Sequence, residues 1–377
     1  MQLSRTNINT VLCSLVSTTL LGISMNAVSA EHPTASANTH TPHHFIFSAN
    51  QAAHDLSVYR VDEKTGMLTE APGSPYKSGK FPVSVSVSPD GHYVYVANQG
   101  SNQVAGYQVN PMSGRLTPIP GSPFDVGRFP DAVEVSPNGK FVYVANEEDN
   151  VVRTYKLDQH SGQLSLVDKS VPTSEHPISV IISPNGKFAY VSNFDSNAIN
   201  SYTVDAASGK LTPSGQAAKT DDHPIYVKVT PDNKYLYTAN YGSTTVSAFT
   251  IDPNNGSLTE IKGSPFMAGA QPYSVTVDPT EHYLYVANWG SHDVSAFKIN
   301  RDNGGLDEVK GSPYRADWYP YAVIVDDHSK YAFVANNGAG SISAYTIDSK
   351  TGALTNITKS PFNTEAGPYS LAISEYR

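Results

Sequence analysis

The sequence has one cysteine, Cys13, and it lies in an N-terminal segment unlike the rest of the chain. Beyond it there is no thiol to form a disulfide or to hold a metal, so stability has to come from packing. Cations are scarce as well. The 25 Lys and Arg are outnumbered by 34 Asp and Glu, for a formal net charge of −9. No basic run occurs, which excludes a general nucleic-acid binder, because phosphate neutralisation needs a basic face. Also missing are a GxSxG nucleophile turn, a Gly-rich phosphate loop and an HExxH zinc motif. No cofactor and no metal are therefore expected. The one largely apolar stretch, residues 11–23, is broken by Ser and Thr and is short for a bilayer span.

That stretch follows Arg5 and precedes the small residues Ala27-Val28-Ser29-Ala30, the layout of an export signal over residues 1–30. The mature chain is expected to be secreted or periplasmic, monomeric and without a membrane span. Residues 31–43 are rich in His, Pro and Thr with no apolar period, and read as a flexible tail. His32, His40, His43 and His44 are a sparse tract with the option of metal binding.

What the chain has in quantity is Gly (27), Pro (26) and Tyr (23), the composition of many short strands joined by tight turns. One strand recurs as FIFSAN, YVYVAN, FVYVAN, FAYVSN, YLYTAN, YLYVAN and YAFVAN, ending at Asn50, Asn98, Asn146, Asn193, Asn240, Asn288 and Asn336. The steps are 48, 48, 47, 47, 48 and 48 residues. A period in the forties with several strands per unit marks propeller blades. Each unit reads as four strands: A after an x-Pro pair, B ending in Asn, then C and D. An all-β, seven-bladed propeller over residues 44–377 follows, with four antiparallel strands per blade. The chain starts on a B strand and finishes on an A strand, Pro368 to Ser374, so the C-terminal strand should complete the N-terminal blade and close the ring.

A repeat supplies its own control: a residue type present in every unit serves the blade, and a departure in one unit is free to serve a ligand. The seven Asn residues read as turn formers whose amides bond nearby backbone. The B–C turns and D–A loops open on one end, where a pocket at the channel mouth would lie. Departures there include Arg128, Asp131, Glu147, His176, His223, Tyr241, Trp289 and Tyr321. Four residues beyond the proline of strand A, the units carry Ser86, Glu134, Ile181, Lys228, Thr276, Ile324 and Ala372, so Glu134 and Lys228 put charge in the innermost strand. They either stabilise channel water and each other or take part in chemistry. His176 and His223 are either loop-packing residues or general bases. The acidic turn Glu147-Glu148-Asp149 lacks the ligand spacing of a dedicated cation loop.

The repeat, as in SPNGKFVYVANEEDNVVRTYKLDQHSGQL from Ser136 to Leu164, closely resembles that of the seven-bladed lactonase family, which includes 6-phosphogluconolactonases and 3-carboxy-muconate lactonizing enzymes, and of YVTN-repeat propellers. The resemblance spans the mature chain. It implies a His, an Arg and a Glu at the mouth of the muconate-type members, of which only the Glu carries over, as Glu147. Where those members have Pro followed by Arg and His, this chain has Pro130-Asp131-Ala132, and Val83 replaces a further His. The implied activity is lactone hydrolysis, with Glu147, His176 or His223 activating water, Lys228 or Arg128 stabilising an oxyanion, and Asp131, Glu134, Tyr241, Trp289 and Tyr321 binding substrate. The alternative is a non-catalytic propeller that binds a small polar molecule, a glycan or a protein partner. Convergence of Glu147, Lys228 and a histidine would favour the enzyme; a broad aromatic mouth would favour the binder.

Overall fold

The computed structural model describes residues 43–167 and 170–374; the segments read from sequence as an export signal and, but for His43, as a tail lie outside the described residues. Seven sheets of one pattern follow each other along the chain. In blade 2 the strands are A (Pro82–Val87), B (Tyr93–Asn98), C (Gln103–Val109) and D, which comes in two pieces, Leu116–Pro118 and Phe124–Asp125, both paired with C. Blades 3 to 7 repeat this order with their A strands beginning at Pro130, Pro177, Pro224, Pro272 and Pro320. Blade 1 is composite: strand A (Pro368–Ile373) pairs antiparallel with strand B (Phe45–Asn50) from the other end of the chain. The ring closes where the sequence predicts, and no blade is left with a bare inner edge.

Strand B is buried at all six positions in every blade, which the single-sided alternation of a surface strand could not tolerate. Each sheet is packed between two others, so both faces of B meet a neighbouring blade. One interblade cluster sets Tyr93 and Tyr95 of blade 2 against Val133, Val142, Val144 and Leu157 of blade 3. A polar bond reinforces the contact. The second aromatic of strand B donates its phenol hydroxyl to a glycine carbonyl in the C–D turn of the next blade: Tyr95 to Gly162 at 2.6 Å, Tyr143 to Gly209 at 2.9 Å, Tyr237 to Gly304 at 2.9 Å and Tyr285 to Gly352 at 3.0 Å. These glycines have positive φ and sit under an aromatic ring; a Cβ on Gly352 would lie 2.3 Å from the Tyr283 ring. Tyr190 is the exception, since its buried hydroxyl has no partner. Tyr285→Phe should therefore cost about 1 kcal/mol in chemical denaturation, whereas Tyr190→Phe should be neutral or stabilising. Equal losses at the two positions would remove the hydroxyl from the account of blade docking.

The seven Asn residues that end strand B are fully buried. In blades 2, 3 and 4 the amide nitrogen donates to nearby backbone as expected, Asn146 to the Val144 carbonyl at 3.0 Å and Asn193 to that of Val191 at 3.0 Å, but side chains and loops are partners too. In blades 1, 5, 6 and 7 the amide nitrogen donates to side chains of strand C, as Asn240 does to Thr245 (3.0 Å) and Ser247 (2.9 Å). In blades 2 and 3 the amide oxygen also accepts from the D–A loop, Asn98 from Gly79 N–H at 3.0 Å and Asn146 from Gly127 N–H at 2.8 Å. One amide thus ties the B–C turn either to strand C or to the loop beside it, and fixes the shape of the end that carries the candidate site.

Candidate functional site

One hydrogen bond recurs in all seven blades at this end. The residue after the B-strand Asn donates its N–H to the carbonyl of the residue before the A-strand proline: Gln51 to Gly367, Gln99 to Phe81, Glu147 to Phe129, Phe194 to His176, Tyr241 to His223, Trp289 to Gln271 and Asn337 to Tyr319, all between 2.7 and 3.0 Å. Every pre-proline residue has φ between 50° and 73°, a left-handed conformation that only Gly367 adopts without steric penalty. B–C turns and D–A loops are thereby held together around the channel opening, and their side chains differ by blade.

On the side of blades 2 and 3 the opening is acidic. Asp131 follows the A-strand proline of blade 3 and is buried, at 7% exposure. Its Oδ1 accepts from Gln99 Nε2 at 2.6 Å, while Oδ2 has no donor. Burial first, and then the adjoining Glu147 carboxylate, hold the Asp131 carboxyl well above the usual carboxylate range. The Asp131 carboxyl therefore favours its neutral, proton-carrying form beside Glu147. Asp131 is thus joined by Gln99 and has Glu147 beside it, and among the described residues no hydrogen bond or ion pair links Glu147 to Lys228 or to a histidine.

On the side of blades 5, 6, 7 and 1 the opening is aromatic. Tyr273, Tyr321 and Tyr369, equivalent residues of three successive blades, lie 4.3, 4.6 and 5.7 Å apart by ring centroids, and the Tyr273 and Tyr369 hydroxyls are hydrogen-bonded. Tyr241 extends the cluster, 5.8 Å from Tyr273 and 6.1 Å from Trp289, and Trp289 stacks on Tyr319 at 4.6 Å. Tyr226 stands 6.1 Å from Tyr273 and projects into the channel. Burial raises the phenols of Tyr226, Tyr273 and Tyr369, which therefore stay protonated donors at any physiological pH. Asp131 lies close enough to Tyr226 and Tyr369 to act on both phenols, so the two sides of the opening meet there.

Below the opening is a channel cavity of about 180 Å³ lined by residues of the A strands, Glu134 and Lys228 among them. They attract each other across it without closing an ion pair, and Ser86 supports the Glu134 carboxyl. Desolvation dominates and pushes Glu134 up to about 7 from an ordinary 4.5. A carboxyl raised in the folded state binds its proton more tightly there than in the unfolded chain. Folding stability should therefore fall as pH rises from about 4.5 through about 7, by an amount on the order of a few kcal/mol. Glu134→Gln should remove that part of the decline, so that variant and wild type match in thermal melts at pH 5 and the variant is the more stable at pH 8. Parallel pH profiles would mean that water in the channel already solvates the charge.

The remaining sequence candidates are placed elsewhere. Arg128 turns outward: its Nε is 2.7 Å from Asp149 Oδ1 and its Nη2 2.9 Å from the Glu148 carbonyl, with the side chain mostly exposed. Its guanidinium is committed to the acidic turn, which also engages Arg153 at 3.5 Å, and it is not available to an oxyanion at the opening. His176 pairs with Asp195 at 2.5 Å and His223 with Asp222 at 3.3 Å, in exposed positions on the rim; the His223 ring also packs on Phe194 at 4.4 Å. Neither lines the channel cavity. His32 and His40 lie outside the described residues, whereas the His43 N–H donates to the Pro111 carbonyl at 3.3 Å. Among the described residues, the group whose ligand atoms converge is Asp326, Asp327 and His328 in the A–B turn of blade 7, at the opposite end, where Asp326 Oδ1 already accepts two backbone N–H groups at 2.7 Å. No helix among the described residues is long and apolar enough to cross a membrane.

Gln99, Tyr273 and Tyr369 hold the mouth positions that the sequence marks, after the B-strand Asn and after the A-strand proline, whereas Tyr226 was not singled out from sequence. Tyr226 has a signal of its own. At its position the other A strands carry Ser84, Ala132, Ser179, Ser274, Ala322 and Ser370, so a tyrosine there is a departure from a small-residue rule.

Comparison with known proteins agrees with this architecture. The family described as lactonase, 7-bladed β-propeller, matches residues 19–128, 120–228 and 219–317. Among solved structures, a Bacteroides fragilis protein provisionally described as a 6-phosphogluconolactonase is 22% identical with a TM-score of 0.75, over 89% of this chain and 99% of that one. The periplasmic gluconolactonase of Pseudomonas aeruginosa is 16% identical with a TM-score of 0.74, over 89% and 99%. Hydrazine synthase of Kuenenia stuttgartiensis is 22% identical with a TM-score of 0.59, over 82% and 92%. At these identities the likeness is one of fold. No curated protein matches the sequence.

Proposed function

The chain belongs to the seven-bladed β-propeller lactonase family, and from that premise we propose that it hydrolyses an uncharged lactone at the mouth of its channel. The observation that carries the reading is the buried Asp131 carboxyl, bonded by Gln99 and raised by burial and by the adjoining Glu147, beside a wall of protonated phenols. Glu147 takes a proton from water as the oxygen attacks the lactone carbonyl carbon. The Tyr226 and Tyr369 hydroxyls donate to the oxyanion that develops. Asp131 then delivers its proton to the ring oxygen as the carbon–oxygen bond breaks, leaving a hydroxy acid, and the proton held by Glu147 returns to Asp131 across their contact. The Tyr273–Tyr321–Tyr369 cluster supplies a flat apolar surface for the ring of the substrate.

The same pair argues against a phosphorylated or carboxylated substrate, because buried acidic groups at the opening repel an anion with no guanidinium beside them to offset it. The P. aeruginosa relative, named for gluconolactone and for the periplasm, supports both an unphosphorylated lactone and export, and residues 1–30 have the layout of a cleaved signal. N-terminal sequencing of the protein from a cell fractionation tests the second point. A non-catalytic binding propeller is the second reading, favoured by the separation of Glu147 from Lys228 and from both histidines. Hydrolysis of a panel of sugar and aliphatic lactones, with 6-phosphogluconolactone beside gluconolactone, decides between them. Turnover of neutral members well above the phosphorylated one supports the proposal, and no turnover across the panel sends the reading to the binder.

A further inference from the structure

On the same end of the propeller, but outside the ring of mouth residues, a groove of about 580 Å³ runs between blades 6 and 7, against about 180 Å³ for the channel cavity. Its walls are His292 and Asp293 at the start of strand C (Asp293–Ile299), Arg315 at the end of strand D, Asp317 and Trp318 in the D–A loop of blade 6, and Asn356 of blade 7. We propose that this groove is a binding site for a neutral pyranose sugar, with Trp318 as its stacking platform.

The repeat separates Trp318 from its scaffold: His292 and Asp293 have counterparts in His54 and Asp55, which make the same bonds in blade 1, whereas the tryptophan has none. The position of Trp318 is held elsewhere by Lys80, Arg128, Glu175, Asp222, Ala270 and Ala366. Asp317 stands where three other loops have glycine, at Gly79, Gly127 and Gly269, and where a fourth has Asp221, held in the same way by the next residue's N–H and a strand C hydroxyl. Trp318 is 59% exposed, an expensive way to leave an indole unless something covers it. One of its sides is braced by His292 at 4.9 Å, whose Nδ1 accepts the Tyr319 N–H at 3.2 Å. The polar groups beside it are pre-set by the scaffold. Asp317 is fixed by the Trp318 N–H (2.9 Å) and the Ser341 hydroxyl (3.0 Å), and Asp293 Oδ1 by Asn288 Nδ2 (2.7 Å) and the Ser291 hydroxyl (3.0 Å), which leaves Asp293 Oδ2 open as an acceptor. The Arg315 guanidinium has no hydrogen-bond or ion-pair partner among the described residues. An aromatic face flanked by fixed carboxylate acceptors, a free guanidinium donor and an amide matches the apolar face and the ring of hydroxyls of a pyranose. Two carboxylates against one guanidinium disfavour uronates and sugar phosphates.

The test is titration calorimetry of the full mature chain with glucose, galactose, N-acetylglucosamine, cellobiose and chitobiose. The sequence has only two tryptophans, Trp289 and Trp318, so fluorescence reports stacking directly. At least one sugar should bind, Trp318→Ala should weaken it by ~10-fold or more, Arg315→Ala should weaken it as well, and Glu147→Gln should bind it as the wild type does. Tighter binding of the disaccharides marks the source as a glycan chain, and equal binding marks a free sugar. Absence of heat from all five sugars overturns the proposal. So does binding that survives Trp318→Ala or is lost in Glu147→Gln, which would move the sugar to the channel mouth. The groove's failure leaves the lactonase reading intact, since the two sites share no residue.

Discussion

Removing residues 368–377 is expected to abolish cooperative folding rather than to trim a terminus. The deleted segment is the whole inner strand of blade 1. It pairs with strand B from Ile46↔Ile373 to Asn50↔Pro368 and buries Ser370 and Leu371. It closes its outer end with reciprocal bonds between Phe45 and Ser374, whose backbone N–H donates at 2.9 Å and whose hydroxyl accepts at 3.0 Å. Without it, strand B of blade 1, all six of whose residues are buried, would face the channel with an unpaired edge. The loss of a buried leucine alone is about 2–3 kcal/mol. The orphaned backbone groups and the opened contacts with the blades on either side add enough to consume a stability of about 5–15 kcal/mol. The truncated chain should show no sigmoidal thermal transition by circular dichroism and should bind a dye specific for exposed apolar surface. A circular permutant that carries the same strand ahead of Phe45 keeps every contact and should melt as the wild type does. A truncated chain that melts cooperatively near the wild-type temperature would mean that six blades and a partial seventh suffice.

That closure was legible because it follows from counting. Seven B strands and seven A strands in a chain that begins on one and ends on the other leave a single way to pair them all. The two-piece strand D was not legible. Between Glu70 and Tyr76 the Gly-Ser-Pro stretch reads as a loop, yet the chain leaves the sheet and returns to the same strand C. The gap would orphan the N–H of Val58, and the Ser74 hydroxyl accepts it at 3.0 Å. Ser122, Ser264, Ser312 and Ser360 do the same for Gly106, Ala248, Ala296 and Ala344. Turn propensity shows where a chain bends but not whether it rejoins the same ladder.

The site was half legible, for a reason of the same kind. Departures from the repeat picked out Asp131, Glu147, Tyr241 and Trp289, because one position in one blade stands out against its equivalents, whereas Tyr321 shares its residue type with Tyr273 and Tyr369. What repeat logic lacks is the neighbour across the turn. Arg128 looked free for a substrate until Glu148 and Asp149 were seen to hold it, and His176 and His223, open between loop packing and base chemistry, are paired with Asp195 and Asp222 on the rim. For Arg128 and His176 the partner lies on another segment about 20 residues along the chain, and spacing in a sequence does not show that contact.

Glu147→Gln should lower lactone turnover by ~10²–10⁴-fold, the range for loss of a positioned general base, with far less effect on KM. Asp131→Asn tests the other half of the pair. An amide can still accept from Gln99 Nε2, but it cannot deliver a proton to the leaving alkoxide, so kcat should fall by ~10²-fold or more. The pH profile separates the two roles. Because burial and Glu147 hold the Asp131 carboxyl above its usual range, the wild-type rate should decline on the alkaline side as that proton is lost, and Asp131→Asn should not show that limb. Stability should move the opposite way from activity. A carboxyl raised by burial contributes a penalty that grows as pH climbs from the ordinary aspartate range toward the raised value, and the amide removes it. Asp131→Asn should thus melt at or above the wild-type temperature at pH 8 while being nearly inactive, the pattern of a site that holds a destabilised group for chemistry. Loss of activity together with loss of stability would instead make Asp131 a structural residue of the turn and leave Glu147 without its proton partner.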